Sequence, residues 1–248
     1  MNEHIVIVTG ASPLPDHVVR AVPPSAIVLA VDGGLDVALE AGMRPSGLIG
    51  DLDSISDGGL AWATAHATIA RHPTDKSETD TELALAFAAD MNPDRLTMVG
   101  GGERLDHTIA ALGALRARKL TGVPVLDGWW NGQHLDVIHG PGRRELALQP
   151  GSLLSLLAIG KSCHEVGVSG VRWPLEGHRL EPVVGLGVSN EVTADDGIVA
   201  VTVSGGVLTI FDTPADSQPP ADADTASPAN SPSEPTAEPT PRTQNEES

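Results

Sequence analysis

The sequence has few of the residues that mark several classes of protein. Its 248 residues include one cysteine, Cys163, so no disulfide can form within the chain, and a reducing cytoplasm is the expected location. Aromatic residues make up 2% of the chain and tyrosine is absent, so aliphatic side chains must fill the core. No apolar run approaches the ~18 residues of a membrane-spanning helix, and residues 1–10 lack the basic start of a secretory signal. We therefore expect a soluble cytoplasmic protein without a membrane partner.

Positive charge is also scarce. The chain has 15 Lys and Arg residues against 33 Asp and Glu residues, which gives a net charge of −18. Nonspecific binding of nucleic acid needs a basic face that displaces counterions, so this composition argues against it. A nucleotide substrate is not excluded, because Mg2+ and backbone amides can carry its phosphates.

Short apolar segments alternate with helical patterns in the first half of the chain. Strands are predicted at 5–8, 26–31, 46–49, 68–70 and 96–99, each bounded by Gly, Pro, Asp or Asn. Helices are predicted between them at 35–41, 58–66, 80–91 and 106–120. This alternation predicts a mostly parallel sheet that is covered by helices on both faces.

Two of these helices have more specific patterns. Thr79 and Glu82 have the spacing of a capping box at the start of the 80–91 helix. The apolar stripe of this helix is predicted to contain Leu83, Ala84, Phe87, Ala88 and Met91. The stripe of the 106–120 helix is predicted to contain Leu105, Ile109, Leu112 and Leu115.

Near residues 123–130 the sequence changes from alternating strand and helix patterns to a series of short strand candidates. Strand candidates follow at 123–126, 134–138, 144–148, 153–157, 165–171, 183–188, 198–203 and 207–211. Gly and Pro separate them, which is typical of antiparallel β-structure. We predict an α/β nucleotide-binding domain at 1–125 and an all-β sandwich domain at 126–212. Residues 213–248 contain eight prolines and seven acidic residues, and we expect them to be a disordered tail.

Acidic motifs follow two of the predicted parallel strands. Asp32-Gly-Gly follows the second strand, and Gly50-Asp51-Leu52-Asp53-Ser54 follows the third. Open α/β sheets bind ligands at the carboxyl ends of their strands. Residues at i and i+2 of an extended segment point the same way, so Asp51 and Asp53 can present two carboxylates to one Mg2+. The alternative is that these residues form ordinary turns and helix caps.

A glycine-rich segment, Gly100-Gly-Gly-Glu-Arg104-Leu-Asp106-His107, joins the fifth strand to the next helix. The glycines let the backbone approach a phosphate, and the helix start offers unpaired N–H groups. Arg104 can add a bidentate phosphate contact. The alternative is a flexible turn in which Asp106 caps the helix.

The polar segment 75–80 leads into the capped helix. Lys76 can neutralise the charge of a transferring phosphate, and Asp80 can complete a metal shell or bind a ribose. As the alternative, Asp80 and Glu82 are only favourable charges in the first turn of a helix. No nucleophile triad is visible, and Cys163 is interpreted as structural.

The order of these motifs resembles the thiamine pyrophosphokinase family. The resemblance includes Asp32-Gly-Gly, Gly50-Asp-Leu-Asp-Ser, Lys76-x-x-Thr79-Asp80, Gly101-Gly-Glu-Arg-Leu-Asp-His107, Ser169-Gly-Val-Arg-Trp-Pro-Leu175 and Gly187-Val-Ser-Asn190. It spans residues 5–211, and although each motif alone is weak, the ordered set is specific. It implies an α/β domain followed by a β-sandwich, and a homodimer whose active sites form between chains. The implied reaction is Mg2+-dependent transfer of pyrophosphate from ATP to the hydroxyl of thiamine, which gives thiamine diphosphate and AMP.

The resemblance also implies roles for single residues in the first half. Asp51 and Asp53 look like the Mg2+ ligands and catalytic carboxylates, with Asp32 close by as a further ligand. Lys76 and Asp80 match a second catalytic loop for phosphate and metal. The residues implied to bind the nucleotide are Thr79, Gly101, Gly102, Arg104 and Asp106.

In the second half, Trp173 resembles the residue that packs on thiamine, with Ser189 and Asn190 beside it. An aromatic face in an acidic site attracts a cationic thiazolium, which agrees with this role. The alternative for Trp173 is core packing, since tryptophan is usually well buried.

One position departs from the family pattern. The family has Lys-Asp-x-Thr-Asp in the second loop, and here the first Asp is Ser77. Asp75, Glu78 or a water held by Ser77 can replace the missing carboxylate. The rival interpretations are a degenerate relative that binds nucleotide or thiamine without turnover, and another Mg2+-dependent nucleotide kinase or hydrolase.

Overall fold

The computed structural model describes residues 3–10 and 12–215, which form 14 strands and five α-helices. The strands of the first half are β1 His4–Gly10, β2 Ile27–Val31, β3 Gly47–Gly50, β4 Thr68–Arg71, β5 Arg95–Gly101 and β6 Val125–Trp130. The remaining strands are β7 Gln133–His139, β8 Gly142–Ala147, β9 Leu153–Ala158, β10 Cys163–Ser169, β11 Leu175–Leu180, β12 Asn190–Glu191, β13 Ile198–Val203 and β14 Val207–Thr213. The helices are α1 Asp16–Ala21, α2 Gly34–Glu40, α3 Asp57–His66, α4 Asp80–Asp90 and α5 Leu105–Ala114.

The first six strands form the parallel part of a ten-stranded sheet, in the order β6-β5-β1-β2-β3-β4. β1 lies in its middle, and the side chains of Ile5, Val6, Ile7 and Val8 are fully buried. Ile5 and Ile7 pack on the face that α4 and α5 cover, whereas Val6 and Val8 pack on the face of α1 and α2. A continuous apolar run is therefore required here, because both faces of the strand exclude water. The predicted parallel α/β region is confirmed.

The strand order places the loop after β1 and the loop after β5 side by side at the centre of this sheet. The chain proceeds from β1 outward to β4 and then crosses back, through α4, to β5 on the other side of β1. At this reversal the carboxyl ends of β1 and β5 are paired, with Gly10 opposite Gly101. Such a reversal opens a crevice at which open α/β sheets bind their ligands.

The predicted β-sandwich is also present. The ten-stranded sheet continues through antiparallel β7, β14, β9 and β12, and a second sheet has the order β11-β10-β13-β8. Leu156, Leu208 and Ile210 of the large sheet pack against Val166 and Val201 of the small one, in a single apolar cluster. Alternating burial along β9 and β13 fits strands with one face in this core.

Several predicted elements have different bounds. The helix predicted at 106–120 is shorter in the structure than in the prediction. α5 ends at Ala114, and a 3-10 helix, Arg118–Gly122, follows it. The predicted strand at 183–188 is instead a loop with the 3-10 helix Gly185–Gly187. β11 was not predicted, because it is an edge strand whose exposed residues are polar.

The predicted helix stripes were partly wrong. Ala84, Ala88 and Leu115 are buried as predicted, but Phe87, Met91, Leu105 and Ile109 are exposed. The further buried positions are Leu85, Ala111 and Ala114. The small alanines let both helices pack closely on the sheet, so the larger apolar residues remain outside this core.

The predicted boundary at 125/126 falls inside β6, in a sheet that continues across it. The division into domains at 1–125 and 126–212 stays a prediction. The predicted tail begins at Thr213, which is the last residue of β14 and is paired with Leu153. Residues 216–248 lie outside the described residues. Among those described, no helix is long and apolar enough to cross a membrane.

Cys163 is fully buried at the start of β10. Burial raises the pKa of its thiol to about 11, so the thiol stays protonated at neutral pH. A protonated, buried thiol is a poor nucleophile, which agrees with a structural role.

Two buried aspartates lie directly opposite each other on neighbouring strands. Asp127 of β6 and Asp136 of β7 are 1% and 4% exposed, and each has its own arginine partner. Arg95 of β5 pairs with Asp127, and Arg144 Nε of β8 lies 3.0 Å from Asp136 Oδ1. Arg144 thus connects the small sheet to the large one through a buried charge.

We predict that Arg144→Met lowers the free energy of unfolding by about 3 kcal/mol, because it leaves the buried Asp136 carboxylate without its arginine. His134 Nδ1, 3.9 Å from Asp136 Oδ2, is too far away to replace it with a hydrogen bond. Arg143→Met is the matched control, since Arg143 is an exposed neighbour that pairs with exposed Glu145. An exposed pair of this kind contributes less than about 1 kcal/mol. Urea denaturation of both variants measures the difference, and equal losses would show that the Arg144–Asp136 pair does not stabilise the contact between the sheets.

Candidate active site

Three carboxylates converge at the carboxyl edge of the parallel strands. Asp32 follows β2, Asp51 follows β3, and Asp80 is the first residue of α4. One oxygen atom from each lies within 4.8 Å of the others, and all three residues are partly buried. Three residues far apart in sequence are therefore brought together by the ends of two strands and the start of one helix.

Unusual backbone conformations fix the positions of the first two carboxylates. Asp32 and Leu52 have φ of 44° and 69°, and Gly50 has φ of 147°. The Leu52 N–H donates a hydrogen bond to Asp32 Oδ1 at 3.1 Å. A Cβ atom at Gly50 would lie 1.7 Å from the same oxygen, so only glycine leaves room for the Asp32 carboxylate.

The start of α4 is held by the predicted capping box, which is confirmed. The Glu82 N–H donates to Thr79 Oγ1 at 3.2 Å, and the Thr79 N–H donates to Glu82 Oε2 at 2.8 Å. In addition, the hydroxyls of Thr81 and Thr9 share a hydrogen bond of 2.9 Å, which ties the first turn of α4 to the end of β1. These contacts place Asp80 at the crevice.

Lys76 is the cation of this group. Its Nζ lies 2.9 Å from Asp80 Oδ2 and 3.9 Å from Asp51 Oδ2, and it also donates to the Pro73 carbonyl at 2.9 Å. The hydrogen bond to Asp80 raises the pKa of Lys76, so its ammonium stays charged. A single ammonium cannot neutralise three carboxylates.

The carboxylates differ in their electrostatics. The pKa of Asp32 is raised to about 6, chiefly by burial and also by the negative charges of Asp80 and Asp51. The pKa of Asp51 is lowered, first by the hydrogen bond from the Asp53 N–H. Asp80 Oδ1 is buried, and no described residue donates a hydrogen bond to it. A partnerless buried oxygen among crowded carboxylates fits a hard divalent cation such as Mg2+, which takes oxygen ligands.

Two predicted participants lie outside this group. The Asp53 side chain is exposed, and its N–H donates to Asp51 Oδ1 at 3.2 Å. The group of three contains Asp80 in its place, so a direct role of Asp53 in metal binding stays a prediction. The Ser77 hydroxyl donates to the Glu78 carboxylate at 2.8 Å, and both residues are exposed.

The glycine-rich segment lies at the crevice between β1 and β5. A Cβ atom at Gly100 would lie 2.3 Å from the Thr9 carbonyl oxygen, whereas one at Gly102 would meet nothing within 4 Å. Close packing therefore explains why positions 100 and 101 are glycine, since neither has room for a side chain. Of the three glycines, only Gly102 faces open space.

Arg104 is the N-cap of α5, and Asp106 lies inside the helix, so the interpretation of Asp106 as the cap was wrong. The Arg104 guanidinium pairs with the Asp106 carboxylate through bonds of 2.6 and 3.2 Å. Both side chains are about two-thirds exposed.

Trp173 and Asn190 lie together in the second half of the chain. Trp173 is 56% exposed, and the Arg172 guanidinium lies 5.1 Å from the centre of its ring. The buried Asn190 side chain accepts from the Trp173 N–H at 3.0 Å and donates to its carbonyl at 2.6 Å. The structure therefore favours a surface role for Trp173 over core packing, and gives Asn190 the role of positioning it. Ser189 is exposed, and its N–H donates to Ser155 Oγ at 3.1 Å.

Sequence reasoning did not identify Thr9 and Thr81, or Asn131 beside the glycine-rich segment. Asn131 Oδ1 accepts a hydrogen bond from the Gly102 N–H at 2.9 Å. The pair Asn131-Gly132 is typical of a hairpin turn, so the turn could have been predicted from the sequence. The sequence does not indicate which loop this turn contacts.

Comparison with known proteins gives a consistent result. Residues 18–125 match the family model described as "Thiamin pyrophosphokinase, catalytic domain", and residues 143–208 match "Thiamin pyrophosphokinase, vitamin B1 binding domain". A thiamine pyrophosphokinase of Bacillus subtilis (strain 168) is 25% identical over 169 residues, which are 66% of this chain and 77% of that protein.

Solved structures share the fold. The crystal structure of thiamine pyrophosphokinase from Bacillus subtilis has a TM-score of 0.71 and 22% identity, and the alignment covers 86% of this chain and 99% of that one. The enzyme from Geobacillus thermodenitrificans has a TM-score of 0.68 and 24% identity, with 85% and 97% covered. Yeast thiamin pyrophosphokinase has a TM-score of 0.64 and 15% identity, with 87% of each chain covered.

The burial of the Asp32 carboxylate, together with the crowding of its neighbours, predicts that Asp32→Asn stabilises the protein when divalent ions are removed. A raised folded-state pKa means that the native state holds this proton more tightly than the unfolded state does. The stability it contributes is complete below the ordinary Asp value and is lost as pH rises through about 6. The Asn variant keeps the acceptor for the Leu52 N–H and carries no charge.

At pH 8 in EDTA we expect Asp32→Asn to gain on the order of 1 kcal/mol after allowance for solvent screening. The gain should disappear near pH 4. Asp75→Asn is the control, because Asp75 is exposed and makes the same change in charge near the site. Denaturation curves at both pH values test this, and a variant that is less stable at pH 8 would contradict electrostatic crowding.

Proposed function

The chain belongs to the thiamine pyrophosphokinase family, an enzyme family of thiamine diphosphate synthesis, and we propose that it transfers pyrophosphate from ATP to thiamine with the help of Mg2+. The observation that carries this proposal is the group of Asp32, Asp51 and Asp80, with Lys76 beside it, at the carboxyl edge of a nucleotide-binding type of sheet. The products would be thiamine diphosphate and AMP.

In this proposal Asp32, Asp51 and Asp80 hold the Mg2+. When bound, the ion neutralises negative charge on the phosphate oxygens and on the transition state. The Lys76 ammonium, which the acidic neighbours keep protonated, donates to a phosphate oxygen of the transferred group. Asp53 supports the site through its backbone, since its N–H fixes the Asp51 carboxylate. The oxygen of the thiamine hydroxyl bonds to the β-phosphorus in line and releases its proton to solvent, while the bond between the β-phosphorus and the α,β-bridging oxygen breaks and AMP leaves.

The nucleotide is proposed to lie over the crevice between β1 and β5. Gly101 keeps the segment close to β1, the open side of Gly102 leaves room for the ligand, and the start of α5 contributes a favourable dipole. Arg104 can exchange its Asp106 partner for a phosphate oxygen, because the pair is exposed. Thr79 contributes by capping α4, so its effect on the nucleotide passes through the position of Asp80.

Thiamine is proposed to pack on Trp173. An exposed indole face suits a cationic thiazolium, and Arg172 beside the ring is balanced by Glu191 at 3.1 Å. Asn190 fixes the backbone of Trp173, and Ser189 lies next to it in the chain.

A homodimer with active sites shared between chains is part of this proposal. Val183, Val184 and Leu186 are each more than half exposed, as Trp173 is. Exposed apolar side chains of this number support a surface that a second copy covers. The cytoplasmic location and the absence of a nucleic-acid partner stay predictions.

We predict that Asp51→Asn lowers turnover by at least ~100-fold, because it removes charge from the proposed metal site. Its melting temperature should stay close to that of the wild type. The assay quantifies AMP and thiamine diphosphate from ATP and thiamine. Asp57→Asn, at the exposed start of α3, serves as the control for the same change of charge outside the proposed site. Turnover close to the wild-type value in Asp51→Asn would remove this carboxylate from the mechanism.

Ser77→Asp tests the departure from the family pattern. Because Asp32, Asp51 and Asp80 already supply three carboxylates and Mg2+ retains several waters, we expect this variant to change turnover by less than ~10-fold. A Mg2+ titration that follows AMP release should show modestly tighter binding of the ion. An inactive wild type that Ser77→Asp rescues by orders of magnitude would identify the chain as a degenerate relative.

A further inference from the structure

Asn131 occupies the turn of the hairpin between β6 and β7. It has φ of 50°, and the next residue, Gly132, has φ of 82°. Two consecutive residues with positive φ form the tight turn that matches the twist of a hairpin, and asparagine is among the few residues that accept this conformation. The turn alone explains a preference for Asn-Gly at this place, but it does not require any contact with another loop.

Asn131 nevertheless makes three hydrogen bonds to the glycine-rich segment, one from its backbone and two from its side-chain amide. Its backbone N–H donates to the Gly100 carbonyl at 3.0 Å, and its Oδ1 accepts from the Gly102 N–H at 2.9 Å. Its Nδ2 lies 3.4 Å from the Gly102 carbonyl, to which it donates a longer bond. Both functions of the side-chain amide are thus used on one residue.

The glycine-rich segment is confined from the opposite side as well. A Cβ atom at Gly10 would lie 2.3 Å from the Gly101 carbonyl oxygen, and a Cβ atom at Gly101 would lie 2.2 Å from Asn131 Oδ1. The segment therefore lies between the end of β1 and the Asn131 amide, with no space for any side chain at Gly101. Its one open side is at Gly102.

We propose that Asn131 is a positioning residue for the nucleotide: it holds Gly100–Gly102 in the conformation that faces the ligand. This inference rests on the proposed function, which places the nucleotide over this segment. A glycine-rich loop loses much conformational entropy when it is ordered. Because Asn131 orders the segment when the protein folds, this entropy is lost on folding and not on binding. The loss therefore does not weaken nucleotide binding.

Asparagine is suited to this position for two independent reasons. It tolerates positive φ, and its amide offers one acceptor and one donor to the Gly102 N–H and carbonyl. Glycine would satisfy the backbone alone, so Asn131→Gly removes the amide without straining the turn. Asn92→Gly is a matched control, because Asn92 also has positive φ, 54°, but lies just before β5, at the amino end of that strand.

The experiment measures four quantities for the full-length wild type and both variants. These are the dissociation constant of Mg2+–ATP by calorimetry, the KM values for ATP and for thiamine, the melting temperature, and the hydrogen exchange of the Gly102 amide. We expect Asn131→Gly to weaken ATP binding and raise the ATP KM by ~10-fold, which corresponds to ~1.4 kcal/mol. The thiamine KM should change by less than ~2-fold, and the Gly102 amide should exchange faster. Asn92→Gly should change none of the kinetic values.

Three results would overturn the inference. One is an unchanged affinity for ATP in Asn131→Gly although the Gly102 amide has lost its protection. Another is a parallel loss for ATP and thiamine together with a much lower melting temperature than that of Asn92→Gly, which would indicate a purely structural turn. The third is a wild type that binds no ATP. A wild type that binds ATP but forms no thiamine diphosphate would refute the proposed function alone, and the calorimetry would still decide the role of Asn131.

Discussion

Carboxylates that share a small, partly dry volume repel each other, and this repulsion sets the conditions for the whole site. Asp32, Asp51 and Asp80 keep one oxygen each within 4.8 Å. Burial, together with the negative charges of these neighbours, raises the pKa of Asp32 to about 6. The surrounding backbone maintains this arrangement through positive φ at Asp32 and Leu52 and through the missing side chain of Gly50. Strain and charge crowding both reduce the stability of the free protein, and the cation that we propose for this site would offset the crowding.

The rest of the fold can be understood as support for that edge of the sheet. The buried apolar run of β1 anchors the centre, and the Thr9–Thr81 hydrogen bond joins its end to the first turn of α4. On the other side of β1, Gly10 packs against Gly101, so the acidic group and the glycine-rich segment have fixed positions around the same strand end. The sheet then continues into the β-sandwich that carries Trp173. Asn190 of β12, at the far edge of this sheet, holds the backbone of Trp173, which itself follows β10 of the smaller sheet.

The apolar residues that remain exposed follow from the same packing. Alanines such as Ala84 and Ala88 allow α4 to lie close to the sheet, which leaves Phe87 and Met91 outside. Amphipathic periodicity predicted the helix and the burial of Ala84 and Ala88 correctly. It wrongly added Phe87 and Met91 to the buried face, because periodicity counts apolar residues without regard to their size. The edge strand β11 escaped prediction for a different reason, since its four central residues are exposed and give it no apolar pattern.

The sequence by itself determined the parallel α/β region, the β-sandwich, the capping box at Thr79 and the family, because strand alternation, cap spacing and motif order are local or linear properties. It also indicated Asp32, Asp51 and Asp80 separately. Only the tertiary structure decided that Asp80 completes the group while Asp53 stays exposed, and that Asn131 holds the glycine-rich segment. Those contacts join residues that are distant in the chain. Their geometry depends on strand order, turn conformation and the space beside each glycine, none of which is encoded by spacing along the sequence.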